Sequence, residues 1–261
     1  MSRYAALGMY PFPALRSAWD ELYFAVAAEA RRHGVDAPAA LRWDVDPHDT
    51  WLDPALAVGM TCGWPLVTAL RDQVRMVGTF AYDIPTAGPA PHMYRTVIIA
   101  RDDVPLTRLS AARTAVNSLD SLSGHISLLA AFGHGAAWPG DIVFTGAHVL
   151  SIEAVRSGAA DVASIDGMTW AFQQRTDAES LTGLVEIGYG PFVPCLPVIV
   201  GAHATDVERD GWRAAFVEVI RNRAVPDALD TLMIRDFVPR HDGDYDSELA
   251  DLRQRHSVVA G

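Results

Sequence analysis

The sequence predicts an α/β fold of two lobes, each a mainly parallel sheet flanked by helices, with a ligand cleft between the lobes. Three observations carry this expectation. Strand-like apolar runs alternate with helix-like runs along all 261 residues, the pattern of helices laid over parallel strands. A Pro/Gly-rich joint, DIPTAGPAP at 83–91, divides one such series from the next. Half of the residues are hydrophobic, and a chain of this length can bury about 70–75% of its unfolded surface in a core.

In order, YAALGMY (4–10) reads as a buried strand closed by Pro11 and Pro13. An amphipathic helix follows from Leu15 to Arg32 and stops at Gly34. ALAVGMT (55–61) is a second strand, leading through a turn at CGWP into a short helix. RMVGTFAY (75–82) and YRTVIIAR (94–101) are strands on either side of the joint. The second half repeats the plan: strand 113–118, helix 122–132, strand 141–146, helix 148–158, strand 160–166, then the helix-like GMTWAFQQR. A last strand, LPVIVGA (196–202), precedes helices near 206–223 and 226–233 and a polar terminal helix near 245–255. Residues 1–88 are thus expected to form the first lobe and 89–195 the second, with 196–261 and its C-terminal helices returning to the first.

Composition excludes several functions. All 21 basic residues are arginine, so a Walker-type phosphate loop and a Schiff-base lysine are ruled out. A formal net charge of −11 argues against nucleic-acid binding, which needs a basic footprint. A small anion is still admissible, because one pocket can be locally positive in an acidic protein. No apolar stretch is long enough to insert into a membrane. The N-terminus lacks a basic region, a long apolar segment and a small-residue cleavage site. The expectation is a cytoplasmic protein as written, or a periplasmic one whose leader has been removed. Cys62 and Cys195 make neither a disulfide framework nor a zinc quartet, and are read as free thiols.

The stretch NSLDSLSGH (117–125) stands between an apolar strand and a helix. The first N–H groups of a helix have no partners within it, and the aligned peptide dipoles put about half a positive charge there. Ser121 and Ser123 add hydroxyl donors, and Gly124 admits close approach to the backbone. Together they suit an oxyanion without any cationic side chain. Serine before a helix is also an ordinary cap. Other strand ends carry Tyr10, His148 in TGAH and Asp166 in SID. His148 opens a helix as Ser123 does, and a capping role is equally open to it and to Asp166.

At these residues the chain resembles a known family. AVNSLDSLSGH, followed by FTGAHVLSIEAVRSGAADVASIDGMTW, is similar to the solute receptors of phosphate/phosphonate ABC importers, the PhnD-like proteins of type 2 periplasmic-binding fold. MTCGWPLVT and YRTVIIAR resemble the family's first-lobe and crossover segments. The resemblance implies a two-lobed receptor that closes on a tetrahedral oxyanion and delivers it to an ABC permease. It implies that Ser121, Leu122, Ser123 and Gly124 form the cradling turn, that His148 is the helix-opening histidine, and that Tyr10 and Tyr94 are cleft tyrosines. Leu122 stands where a small hydroxyl residue is frequent. An acidic position of aminophosphonate binders aligns with apolar PCLP (194–197), leaving Asp166 to take an ammonium group or the proton of a monoprotonated ligand.

The expected function is therefore a solute-binding protein for a small phosphate- or phosphonate-like anion, with no cofactor, no metal and no catalysis. The alternative is a cytoplasmic lyase-like enzyme or a ligand sensor on the same fold, with Asp166, His148 or Cys62 as acid/base or nucleophile. HDGDYDSE (241–248) spaces aspartates in the manner of calcium ligands, yet lacks the glycine and distal glutamate of an EF-hand loop. It reads as an acidic helix start, and DVDPHD (44–49) as a surface turn around Pro47. Trp64 and Trp170 read as core residues.

Overall fold

A computed structural model describes residues 3–105, 112–135 and 137–257, and the chain divides into two compact units. The extreme ends of the expected first and last segments lie outside the described residues. The first unit comprises residues up to Asp83, Pro89–His92 and Pro194–Ser247; the second comprises Ile84–Gly88, Met93–Val193 and the stretch from Glu248 onward.

In the first unit, β1 (Tyr4–Ala6), α1 (Arg16–Arg32), α2 (Pro47–Thr50), β2 (Leu56–Met60), α3 (Gly63–Val67) and β3 (Val74–Tyr82) come first. The second unit then supplies β4 (Met93–Arg101), β5 (Thr114–Val116), α4 (Ser127–Ala131), β6 (Ile142–Phe144), α5 (His148–Arg156), β7 (Val162–Ile165), α6 (Gly167–Thr176) and β8 (Leu184–Pro194). The chain re-enters the first unit through β9 (Pro197–Gly201), α7 (Asp206–Arg221), α8 (Pro226–Thr231), β10 (Ile234–Pro239) and α9 (Asp244–Glu248), and ends in α10 (Ala250–Ser257). The sheet orders are β1-β2-β9-β3-β10 and β6-β5-β7-β4-β8.

Both sheets are mixed, which corrects the expectation of mainly parallel ones. β1–β2, β5–β6 and β5–β7 pair parallel, whereas β2–β9, β3–β9, β3–β10 and β4–β7 pair antiparallel. The cause lies at the crossings. β3 runs to β4, and β8 to β9, without an intervening helix, and a strand entered without a helical crossover is free to lie antiparallel to its neighbour.

The first core is aromatic. Trp19 of α1, Phe216 of α7 and Phe237 of β10 surround Phe80 of β3 at ring separations of 5.7, 5.7 and 5.4 Å. In the second unit the alternation along β4 feeds both faces of the sheet. Val97 and Ile99 join Ile152, Val155 and Trp170 on one side, and Ile98 and Ala100 join Leu128, Leu129 and Trp138 on the other. A strand covered on both faces reads as a continuous apolar run, as this one does.

α10 clusters with the second unit rather than the first, a correction with a visible reason. Its His256 ring lies against His125 at 5.9 Å. The acidic stretch near 241–248 opens α9, as expected, and its aspartates are also hydrogen-bonded. Asp242 accepts from the Met76 N–H at 2.7 Å, Asp244 from the His241 N–H at 2.8 Å, and Asp246 pairs with Arg71 at 2.8 Å. Pro47 opens a short helix capped by Asp46 rather than a turn. Trp64 is half-exposed, not core. Among the described residues no helix is long and apolar enough to cross a membrane.

Candidate functional site

β5 ends at Val116, and the chain passes through Asn117–Asp120 into a helical run that starts as a wide π-turn, Leu122–Ile126, and continues as α4. Ser121 is its N-cap: the hydroxyl oxygen accepts the Gly124 N–H at 2.9 Å, and the carbonyl accepts from His125 and Ile126. The capping reading of Ser121 is therefore observed, and its hydroxyl proton is left over for another acceptor. The N–H groups of Leu122 and Ser123 donate to no group among the described residues, as the first positions of a helix require. Ser121, Leu122, Ser123 and Gly124 are all buried. A side chain at Gly124 would overlap the carboxamide oxygen of Asn117, so only glycine fits this turn without displacing Asn117.

The adjacent parallel strand β6 leads to a second helix start. Thr145 N–H donates to the Val116 carbonyl and Gly146 N–H to that of Asn117, which locks the two strand ends side by side. Gly146 takes φ +81°, and α5 then opens at half-buried His148. The two helix starts meet: Ser123 Oγ and His148 Nε2 are 2.8 Å apart. When Nε2–H is the donor, the Ser123 hydroxyl proton is free to point at a ligand. Burial holds His148 below the usual imidazole value, against the opposing pull of the Asp166 carboxylate and the Ser164 backbone. The ring is neutral at pH 7.

Asp166, after β7, caps α6 by accepting the Thr169 N–H at 2.9 Å, and its other oxygen accepts the Tyr94 hydroxyl proton. Both residues are buried. The capping reading of Asp166 is the observed one, and Tyr94 has spent its donor on it. Tyr10 belongs to the first unit, where it is buried and lies edge-on to Tyr82 at 6.5 Å. The second unit thus brings together Ser121–Gly124, His148, and the pair Tyr94–Asp166. Among the alternative chemical candidates, Cys62 is a buried free thiol in the first unit, as is Cys195.

Sequence reasoning passed over three residues here. Asn117 lies within the serine turn itself, and its carboxamide oxygen is buried without a partner. Thr96 and Ser164, both buried, stand behind the turn. Each is a lone hydroxyl in an apolar strand run, which carries no outward sign of a site.

Comparison with known proteins puts the chain among solute-binding proteins. A family model described as the phosphonate periplasmic substrate-binding protein of ABC transporters matches residues 56–245. The chain belongs to that family, whose members are solute receptors rather than enzymes, with small anionic ligands and permease partners. This sets aside the lyase-like alternative. Among curated proteins none matches the chain. Solved structures agree in fold. A binding component of an ABC phosphonate transporter from Pseudomonas aeruginosa is 15% identical, with TM-score 0.76, over 100% of this chain and 88% of that one. PhnD1 from Prochlorococcus marinus, in complex with methylphosphonate, is 11% identical with TM-score 0.71, over 99% and 98%. A Xanthomonas citri protein bound to chloride ion is 13% identical with TM-score 0.73, over 99% and 98%.

Proposed function

We propose that the chain is the receptor for a small phosphonate- or phosphate-like oxyanion, held at the meeting of the two helix starts in the second unit. The donors are the backbone N–H groups of Leu122 and Ser123 and the hydroxyls of Ser121 and Ser123, the Ser123 proton being released when His148 Nε2–H donates to its oxygen. The observation that carries this reading is the 2.8 Å approach of Ser123 Oγ to His148 Nε2. It brings side-chain donors and two helix dipoles to one place. Leu122 contributes only its backbone, so this receptor has one hydroxyl fewer than a turn with serine or threonine there.

Tyr94 and Asp166 shape the site as a bonded pair. Asp166 retains acceptor capacity on both oxygens, which suits a ligand that keeps one proton. A receptor that hands its solute to a permease works outside the inner membrane, so a periplasmic location goes with this role. The test is calorimetric titration with phosphate, phosphite, methylphosphonate and 2-aminoethylphosphonate. At least one should bind, and Ser121→Ala with Ser123→Ala should weaken it by about tenfold or more, as loss of hydrogen bonds to a charged group does. No binding across the panel, or a double variant equal to wild type, refutes the assignment.

A further inference from the structure

The backbone on either side of the Ser123–Gly124 link is gripped from two directions. The Gly124 N–H donates to Ser121 Oγ at 2.9 Å, and the Ser123 carbonyl accepts the hydroxyl of Ser164 at 2.6 Å. Ser164 lies on β7 and is 1% exposed. Its hydroxyl has a single proton, which lies between two acceptors, the Ser123 carbonyl being the nearer. The other acceptor is Thr96 Oγ1 of β4, at 2.9 Å. Thr96 is 0% exposed, and Gly190 of β8 leaves room for it, because a Cβ there would overlap Thr96 Oγ1. Ser164 Oγ is thus held between Thr96 Oγ1 of β4 and the Ser123 carbonyl.

We infer that Ser164 and Thr96 are positioning residues for the anion turn. They touch no ligand. They tie down the Ser123 carbonyl, and with it the Cα that bears the Ser123 nitrogen and hydroxyl side chain. A Ser123 residue free to shift would aim those donors over a range of directions, and pre-organised donors bind an anion more tightly than donors that must first be ordered. The chain of two hydroxyls is buried, and polar chains of this kind polarise one another. This inference rests on the proposed anion site.

The test compares the affinity for methylphosphonate of wild type, Ser164→Ala, Thr96→Val, Thr96→Ser and Thr114→Val. Thr114→Val is the control: this buried threonine of the same sheet donates to the Val162 carbonyl at 3.2 Å, away from the turn. Ser164→Ala should lose affinity about fivefold or more and Thr96→Val about twofold or more, with Thr96→Ser restoring it. Thr114→Val should bind as wild type does, whatever it costs in thermal stability. If Ser164→Ala does not fold, the Thr96 pair decides alone. The inference is overturned if both Ser164→Ala and Thr96→Val bind as wild type, or if Thr114→Val loses as much affinity. Loss of binding in Ser123→Ala but in neither Ser164→Ala nor Thr96→Val removes only the positioning role. A wild-type protein that binds none of the anion panel removes the site itself and this inference with it.

Discussion

Gly124 and Asn117 compete for one volume. A methyl group at Gly124 would displace the Asn117 carboxamide and press on Ser121 Oγ at 3.1 Å. Gly124→Ala is therefore expected to weaken anion binding about tenfold, and adding Asn117→Ala should recover part of the loss, both read by titration calorimetry. His148 supplies a second expectation. Its free-state value is depressed by burial, and a bound anion favours the imidazolium. The complex then holds more protons than the free receptor, so affinity rises as pH falls through the depressed value. Comparing wild type with His148→Asn between about pH 8 and about pH 5.5 isolates this effect, since the ligand's own titration is common to both. A slope that does not differ between the two removes His148 from the site. The helix starts at Ser121 and His148 were legible in the sequence because turn chemistry is local. The Tyr94–Asp166 bond joins residues 72 positions apart, and no local pattern announces it.

Among the elements, the strands that escaped sequence reading, β8 and β10, are both sheet edges. β8 carries Gly188, Gly190, Pro191 and Pro194 within its eleven residues, punctuation that an edge tolerates and a central strand does not. β1 was read too long: only Tyr4–Ala6 pairs with β2, and the chain leaves the sheet before Pro11. The long helices were read well because their caps and stops are local, as with α1 and Gly34 at φ +81°. α10 brings an element-level prediction. His125 is held below its ordinary value by burial, and His256 by burial and by the charge of His125. Folded protein therefore takes up fewer protons than unfolded protein once pH drops below about 6.5. Stability is retained above that point and lost as pH falls through the two depressed values. Urea midpoints at about pH 7.5 and about pH 5.5 should separate for wild type and separate less for His256→Gln. Equal separations would mean that the two rings do not share the titration.

At the scale of the whole chain, a net charge of −11 goes with a proposed site whose donors are backbone and hydroxyl groups. Attraction for an anion is consequently short-ranged and directional, and depends on the turn being intact. A ligand that binds only the folded chain should raise its unfolding free energy by about 2.7 kcal/mol at a hundredfold its Kd. Thermal denaturation with methylphosphonate should show this in wild type and not in Ser121→Ala/Ser123→Ala. The two-unit plan was legible from the joint at 83–91 and the doubled strand–helix series. Strand directions were not. Alternation of elements records their order along the chain, whereas the helix-free passages β3 to β4 and β8 to β9 decide polarity.

Because His256 of α10 rests beside His125, within the helical turn that Ser121 caps, α10 is anchored next to the most sensitive spot of the second unit. A fluorophore attached at exposed position 255 of α10 should respond to occupancy of that turn. A purification tag belongs at the opposite terminus.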